Sequence, residues 1–252
     1  MIEVPDPGYT SSKRAQANFV LALRLAFWLV AGLSLAYVID LLTPQDLLVW
    51  GLAPREASGL IGVVTAPLLH ASFGHLMSNV LPLFVGVSLM VYLFPNAAVR
   101  AAPLIYFGSG LLAWVFARQA IHVGASGIVY GVLSFLFVSG LVRRDIRSLG
   151  VSLMVAFVYG YIVWGVFPFD TTMSWELHLA GTLMGAGCAV RYRHWDRPPM
   201  KQYDWEVEEA IEQDIEQDVE KPDASPWDES DAGLSDASQS DEDKRSQTDR
   251  WT

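Results

Sequence analysis

The sequence predicts an all-α membrane protein, a bundle of six transmembrane helices followed by a disordered acidic C-terminal tail. The first observation is hydropathy: 52% of the 252 residues are apolar, and they gather in runs of about 20, the length that crosses about 30 Å of hydrocarbon as a helix. The second is charge: residues 196–252 hold 19 of the 27 acidic side chains and 6 of the 17 basic ones. A soluble helical bundle is a poor alternative, because its helices need polar faces that these segments lack.

Six apolar segments are the predicted spans. They run over residues 19–39, 72–94, 99–117, 126–142, 149–167 and 174–191. Pro95, Pro103 and Pro168 are expected near helix boundaries, and Pro82 is expected to kink the second span slightly. The predicted domains are an N-terminal segment of residues 1–18, a six-span core of residues 19–195 and the tail of residues 196–252.

Basic residues in the short loops predict the orientation, because cytoplasmic loops carry an excess of lysine and arginine. One side has only Arg55 and Arg118. The other side has nine: Lys13, Arg14, Arg100, Arg143, Arg144, Arg147, Arg191, Arg193 and Arg197. We therefore expect a multi-pass protein of the cell membrane with both termini in the cytoplasm. The first apolar segment is too long for a cleavable signal and is expected to stay as an anchor.

The tail changes composition from Asp204 onward, where Glu, Asp, Ser and Gln dominate. Residues 203–219 are compatible with a short charged helix, and the chain beyond Pro222 is predicted to be disordered because it has too little apolar surface to bury. A solvated tail is favoured over one that binds a partner, and no such partner is indicated. The acidic balance of the chain comes from the tail, because residues 1–195 carry a small positive charge, so the overall net charge does not indicate a partner. No nucleic-acid partner is expected, and partners of the tail stay unknown.

The cysteine and histidine content argues against a disulfide or a metal centre. Cys188 is the single cysteine, and the five histidines form no metal-binding motif. We expect neither a metal nor a cofactor. His122 and His194 fall in loops and are expected to have no part in a site.

Four polar residues lie within apolar segments at one predicted depth. His75 and Asn79 share a face of the second span, Ser126 opens the fourth span, and His178 lies one turn into the sixth. Such groups are costly in hydrocarbon and usually functional. A serine beside a neutral histidine is the minimum for an activated nucleophile. We therefore predict a Ser126–His178 dyad, with His75, Asn79 and the Ser126 N–H as an oxyanion hole.

Small residues predict how closely the spans approach. Gly127 and Gly131 form a GxxxG pair in the fourth span, and Gly181 and Gly185 form another in the sixth. If these faces meet, Tyr130 lies against the imidazole ring of His178. No acid completes a triad, since Glu176 faces away from the histidine and Asp40 only ends the first span.

The strings "HASFGHLMSN", "GASG" and "HLAGTLMG" together resemble the rhomboid family of intramembrane serine proteases. His70, His75 and Asn79 fit H-x4-H-x3-N, Gly124 to Gly127 fit G-x-S-G, and the last span fits H-x2-G-x3-G. The resemblance covers about residues 45–195. It implies that Ser126 is the nucleophile and His178 its base, and that His75 and Asn79 assist the oxyanion. It implies substrates that are single-span membrane proteins within the lipid bilayer.

The sequence departs from the family at two places. The family often has a Trp-Arg pair in the first outer loop, where Ile61 and Gly62 stand here, and Leu177 replaces the small residue common before the last-span histidine. Gly124 and Tyr130 are expected to support the site. His70 is as well explained by bracing the loop as by chemistry.

Two alternatives to the protease remain from the sequence. One is a catalytically inactive rhomboid-like binder of membrane helices. The other is a small membrane transporter, which the lack of inverted repeats disfavours.

Overall fold

The computed structural model describes residues 13–169, 173–196, 211–213 and 215. The chain divides into two units, residues 1–199 and 200–252. In the second unit, residues 211–213 and 215 are helical and exposed. The predicted disorder of the tail and most of the N-terminal segment lie outside the described residues.

The described part of the first unit is built from α-helices joined by short 3₁₀ segments. The α-helices are α1 (Lys13–Leu42), α2 (Gly62–Thr65), α3 (Phe73–Leu93), α4 (Pro95–Phe116), α5 (Ser126–Arg143), α6 (Ile146–Tyr159) and α7 (Trp175–Arg191). The 3₁₀ segments are Leu47–Trp50, Ser58–Ile61, Ala66–Leu68 and Gly160–Val166.

Within the described residues, five helical segments are long and apolar enough to cross a membrane. They are Gln16–Leu42, Phe73–Leu93, Pro95–Phe116, Ser126–Arg143 and Ile146–Val166, and they correspond to the first five predicted spans. The sixth predicted span corresponds to α7, which has 17 residues and is not among the five. This helix packs against α4 and α5, so many of its side chains contact protein instead of lipid and need not be apolar.

Local signals explain where several helices begin. The Ser72 hydroxyl accepts from the His75 N–H at the start of α3, and the Asp145 carboxylate accepts from the Ser148 N–H at the start of α6; both satisfy a donor that the helix itself cannot. Pro95 opens α4, a position where its missing N–H costs nothing. Pro103 was expected at a boundary, and that expectation is wrong: it lies inside α4, which begins eight residues earlier.

The fifth predicted span is not one continuous α-helix. It is α-helical to Tyr159 and then 3₁₀-helical over Gly160–Val166. The change occurs at Gly160, and glycine is a weak helix former because it loses the most backbone freedom. The 3₁₀ segment carries its backbone carbonyls towards α5 and α7.

The first loop, residues 43–72 between α1 and α3, is fastened to the end of α4 by Arg55 and Trp114. The Arg55 guanidinium donates to the Ala117 carbonyl at 2.6 Å, and the Trp114 indole N–H donates to the Glu56 carbonyl at 2.9 Å. Cations near a helix C-terminus satisfy its free carbonyls and its dipole. These contacts hold Arg55 in the left-handed region at φ 61°, which is uncommon for a residue with a side chain.

The opposite end of the bundle is closed by the residues that follow α7. The Asp196 carboxylate accepts from the Asn96 and Ala97 N–H groups at the start of α4. The Arg143 guanidinium donates to the Tyr192 carbonyl at 3.0 Å and lies 4.4 Å from the centre of the Phe94 ring. Arg143 was expected in a loop, but it is the last residue of α5 and is buried at the junction of α3, α4, α5 and α7.

Candidate active site

Ser126 is the first residue of α5 and is 9% exposed. The first N–H groups of a helix have no partner within it, and the helix dipole makes them favourable for negative charge. The preceding turn requires Gly124, whose φ is +109° and whose N–H donates to the Ala66 carbonyl at 2.8 Å. The serine hydroxyl thus stands beside backbone donors in a turn that is tied to the first loop.

His178 lies in the first turns of α7 and is held on two sides. Its Nδ1 is 2.8 Å from the Gly165 carbonyl oxygen, and Tyr130 stacks on its ring with centroids 4.1 Å apart and planes 6° apart. Because a carbonyl can only accept, Nδ1 carries the proton in the neutral ring. Nε2 then keeps its lone pair, which is the state that a general base needs.

Helices α5 and α7 make the closest helix contact near the site. A Cβ atom on Gly181 would lie 2.0 Å from the Gly127 carbonyl oxygen, and one on Gly185 would lie 1.9 Å from that of Gly131. The two glycine pairs that the sequence singled out therefore face each other, backbone against backbone. A Cβ atom on Gly127 would also lie 3.3 Å from the Leu177 carbonyl oxygen. Ser126 precedes Gly127 and His178 follows Leu177, so this contact brings the two residues close together.

Ser126 and His178 are near neighbours without being hydrogen-bonded to each other in this structure. The ring bond that His178 makes among the described residues is the one to Gly165. Catalytic hydrogen bonds in unliganded enzymes are often long and shorten when substrate binds. Glu176 does not approach the imidazole as a third member: it pairs with Arg118 at 3.4 Å.

Of the polar residues of α3, His75 lies next to the turn that precedes Ser126. A Cβ atom on Gly124 would be 2.5 Å from Nε2 of His75, so this imidazole lies against the turn that leads to the serine. Asn79 is buried, and its amide donates one hydrogen to the His75 carbonyl at 2.7 Å. An amide has two hydrogens, so the second is still available to a ligand.

His70 packs against His75. The two rings are edge to face with centroids 5.2 Å apart. His70 is buried, and burial, reinforced by the neighbouring His75, lowers its pKa to about 4. A neutral ring in this place fits a bracing role.

Sequence reasoning missed three residues near the site. Gly165 and Ile162 contribute backbone carbonyls, the first to His178 and the second to the Tyr130 hydroxyl at 2.9 Å. His122, expected to be an uninvolved loop residue, is 1% exposed and hydrogen-bonded. The sequence offered one signal for this contact, the glycine at position 165. In the structure a Cβ atom there would lie 2.0 Å from the Tyr130 hydroxyl, so a side chain would not fit.

The comparison with known families identifies the fold to which this site belongs. Residues 57–194 match the Rhomboid domain, a range that covers more than half of the chain and includes Ser126, His178, His75 and Asn79. The chain belongs to the rhomboid family. Its apolar helices agree with the multi-pass membrane proteins of that family, whose members are usually intramembrane serine proteases.

Relatives of this rhomboid occur in several bacteria. Uncharacterized proteins of Mycobacterium bovis and Mycobacterium tuberculosis are each 38% identical over 169 residues, which cover 64% of this chain and 70% of theirs. A Bacillus subtilis protein named provisionally as a rhomboid protease, YdcA, is 29% identical over 181 residues, covering 67% of this chain and 83% of its own.

No cluster of three potential metal-ligating side chains occurs in the part of the rhomboid that the structure describes. The polar groups around Ser126 are imidazole, amide and backbone donors. Such a set suits the binding of a developing oxyanion.

Proposed function

We propose that this rhomboid is an intramembrane serine endopeptidase that cleaves single-span transmembrane proteins through a Ser126–His178 dyad. The observation that carries the proposal is the fixing of His178. The Gly165 carbonyl and the stacked Tyr130 ring orient its imidazole, and the glycine contact between α5 and α7 keeps it close to Ser126.

The proposed reaction begins when the hydroxyl oxygen of Ser126 attacks the scissile carbonyl and Nε2 of His178 takes the hydroxyl proton. The oxyanion is stabilised by the backbone N–H of Ser126, by His75 and by the second amide hydrogen of Asn79. His178 then gives its proton to the leaving amine, and water hydrolyses the acyl-enzyme. No metal or cofactor is needed for these steps.

The proposed topology has six spans, with α7 as the sixth, and both termini in the cytoplasm. Ser126 would then face the outside, and water would reach it from there. Gln119 is exposed in the loop before Ser126, and His194 is exposed after α7. A cysteine at Gln119 should react with an impermeant maleimide in intact cells, and one at His194 should react only after the membrane is breached. The reverse pattern would invert the orientation.

The activity test uses purified full-length protein in liposomes with a single-span substrate and, separately, a fluorophosphonate probe. Wild type should cleave the substrate and be labelled at Ser126, and Ser126→Ala should do neither. Ser139→Ala is the matched control, because Ser139 lies in the same helix, more than three turns further on and fully buried. A folded wild type that neither cleaves nor labels would favour the inactive helix-binding alternative, whereas solute uptake by such liposomes would favour a transporter.

A further inference from the structure

The end of the bundle that carries Ser126 holds a second buried polar cluster, which the proposed dyad does not include. We call it the His122 hub; it consists of the Leu52 backbone and the side chains of Arg118, His122, Ser174 and Glu176. His122 and Glu176 are each 1% exposed. Polar side chains buried this deeply are kept where they make hydrogen bonds, and the bonds of the hub join separate parts of the chain.

His122 connects three segments. Its backbone N–H and carbonyl exchange hydrogen bonds with Leu52 of the first loop, both at 2.9 Å. Its Nε2 lies 3.1 Å from the Arg118 carbonyl and its Nδ1 lies 2.9 Å from the Ser174 hydroxyl. Because the carbonyl can only accept, Nε2 donates to it in the neutral ring, and Nδ1 accepts from the hydroxyl.

Arg118 and Glu176 make a second connection between the loop before α5 and the start of α7. The Glu176 carboxylate accepts from the Arg118 N–H at 3.3 Å and lies 3.4 Å from its guanidinium. The guanidinium also donates to the Met173 carbonyl at 2.7 Å. The loop over residues 117–125 is thus bound to the start of α7 through both a histidine and an ion pair.

Ser174 uses its hydroxyl for the bond to His122 and not for a helix cap. Serine before a helix usually accepts from an N–H of the first turn. Ser174 precedes α7, yet its side chain makes no such bond, and its hydroxyl is directed to His122 instead. The start of α7 is therefore held to the loop by a hydroxyl group that, in many helices, caps an N–H of the helix itself.

The hub spans the two elements on which the proposed dyad stands. The loop leads directly into Gly124 and Ser126, and α7 reaches His178 four residues after Ser174. The glycine contact fixes the separation of α5 and α7 on one side of the dyad, and the hub fixes the loop and the α7 terminus on the other. A displacement of about 1 Å between reacting groups can cost about a hundredfold in rate.

We infer that His122, Ser174, Arg118 and Glu176 are positioning residues, which set the distance between Ser126 and His178 by tying the 117–125 loop to the start of α7. This inference rests on the proposed peptidase function. It assigns the hub no contact with substrate, so its loss should lower kcat and leave KM nearly unchanged.

The test compares His122→Phe with His194→Phe in full-length protein in liposomes. The first keeps the ring volume and the backbone bonds to Leu52 but removes both side-chain bonds; the second is the same change at an exposed site beyond α7. We expect His122→Phe to lower kcat and the rate of fluorophosphonate labelling about tenfold to a hundredfold, with KM within about threefold. His194→Phe should match wild type. Equal kcat in the two variants would overturn the inference.

Ser174 provides a milder test if His122→Phe does not fold. Ser174→Ala removes one hydroxyl and should lower kcat several-fold, whereas Ser174→Thr keeps the hydroxyl and should restore it. A purely structural residue would shift the melting temperature without this pattern in kcat measured well below melting. Combining Ser174→Ala with His122→Phe should add little further loss, because both remove the same bond; full additivity would count against the hub.

Hydrogen exchange separates failure of the hub from failure of the peptidase proposal. Amides of residues 122–126 and 175–178 should exchange faster in His122→Phe than in His194→Phe, whether or not the protein is active. If these amides exchange faster in His122→Phe although the wild type never cleaves a substrate, the link between the loop and α7 is upheld and the peptidase proposal is not. If the wild type cleaves its substrate and His122→Phe has unchanged exchange and unchanged kcat, the peptidase proposal is upheld and the positioning inference is not.

Discussion

Helices α5 and α6 follow one another in the chain, joined by residues 144–145, and they are packed in opposite ways. Over the most apolar 18 residues of each, 61% of the residues are buried in α5 and 11% in the segment Ile146–Val166. A Cβ atom on Gly131 of α5 would collide with Ile105, whereas one on Gly150 of α6 would meet nothing within 4 Å. The proposed dyad takes its side chains from α5 and α7, and the loosely packed segment contributes the Gly165 and Ile162 carbonyls at its end.

This comparison predicts where substitutions matter. The largest effect should come from the dyad. Ser126→Ala and His178→Ala should each lower cleavage of a single-span substrate by at least about a thousandfold, and the double variant should be no worse, because the two act as a unit. Both variants should remain folded and inserted, checked by melting and membrane fractionation. Turnover within tenfold of wild type in Ser126→Ala would end the serine-protease proposal.

The glycine contact should give the next largest effect. Gly181→Ala places a methyl group against the Gly127 backbone, which cannot rotate away as a side chain could, so α5 and α7 must separate. Overpacking of this kind costs about 1–3 kcal/mol, and cleavage should fall more than about tenfold.

The matched controls for Gly181→Ala are Gly187→Ala in α7 and Gly150→Ala in α6, where a Cβ atom meets nothing within 4 Å. Both should keep wild-type cleavage and should melt at the wild-type temperature or slightly above it, since alanine favours helix over glycine. If all three substitutions have the same effect, helix propensity and not the α5–α7 contact governs the result, and the contrast between the two regions is lost.

Tyr130 of α5 makes two contacts: its ring stacks on His178, and its hydroxyl donates to the Ile162 carbonyl beyond α6. The ring and the hydroxyl can be removed separately. Tyr130→Phe keeps the ring stacked on His178 and loses the hydrogen bond to the Ile162 carbonyl. One such bond contributes about 0.5–1.5 kcal/mol, so kcat should fall only a few-fold. Tyr130→Ala removes the ring as well and should be clearly worse. Equal rates in the two variants would show that the stacked ring does not orient His178.

The difference between the two regions also explains what the sequence could predict. Ser126, His178 and Tyr130 carry recognisable side chains at helical spacing, so their approach followed once the GxxxG pairs were taken to face each other. The Gly165 and Ile162 carbonyls act through the backbone, which every residue has, and no spacing distinguishes them. His122 lies in a loop, where the partner at Leu52 is 70 residues away and no periodicity indicates it.

The helix boundaries also show what hydropathy can and cannot predict. The first five spans could be predicted because lipid demands about 20 apolar residues wherever a helix faces it. Helix α7 packs between α4 and α5, and its length and polarity are set by protein contacts that hydropathy does not record. Pro103 was misplaced for a related reason: proline inside a membrane helix is tolerated when neighbouring groups satisfy the freed carbonyl.

The smallest effect should come from an exposed aromatic residue on α6, tested against a buried one on α5. Phe157 is 93% exposed and Phe135 is 0% exposed. In a bilayer the space left by Phe157→Ala is filled by lipid tails, which are as apolar as the ring, so stability should change by less than about 0.5 kcal/mol. Phe135→Ala leaves a cavity that the surrounding helices only partly close, and should cost about 3–5 kcal/mol. Unfolding of both variants in a bilayer or mixed micelles measures the contrast. If Phe157→Ala lost as much stability as Phe135→Ala, the face of α6 that carries Phe157 would have to be covered by protein in the membrane. The contrast in packing between α5 and α6 would then not hold in the bilayer.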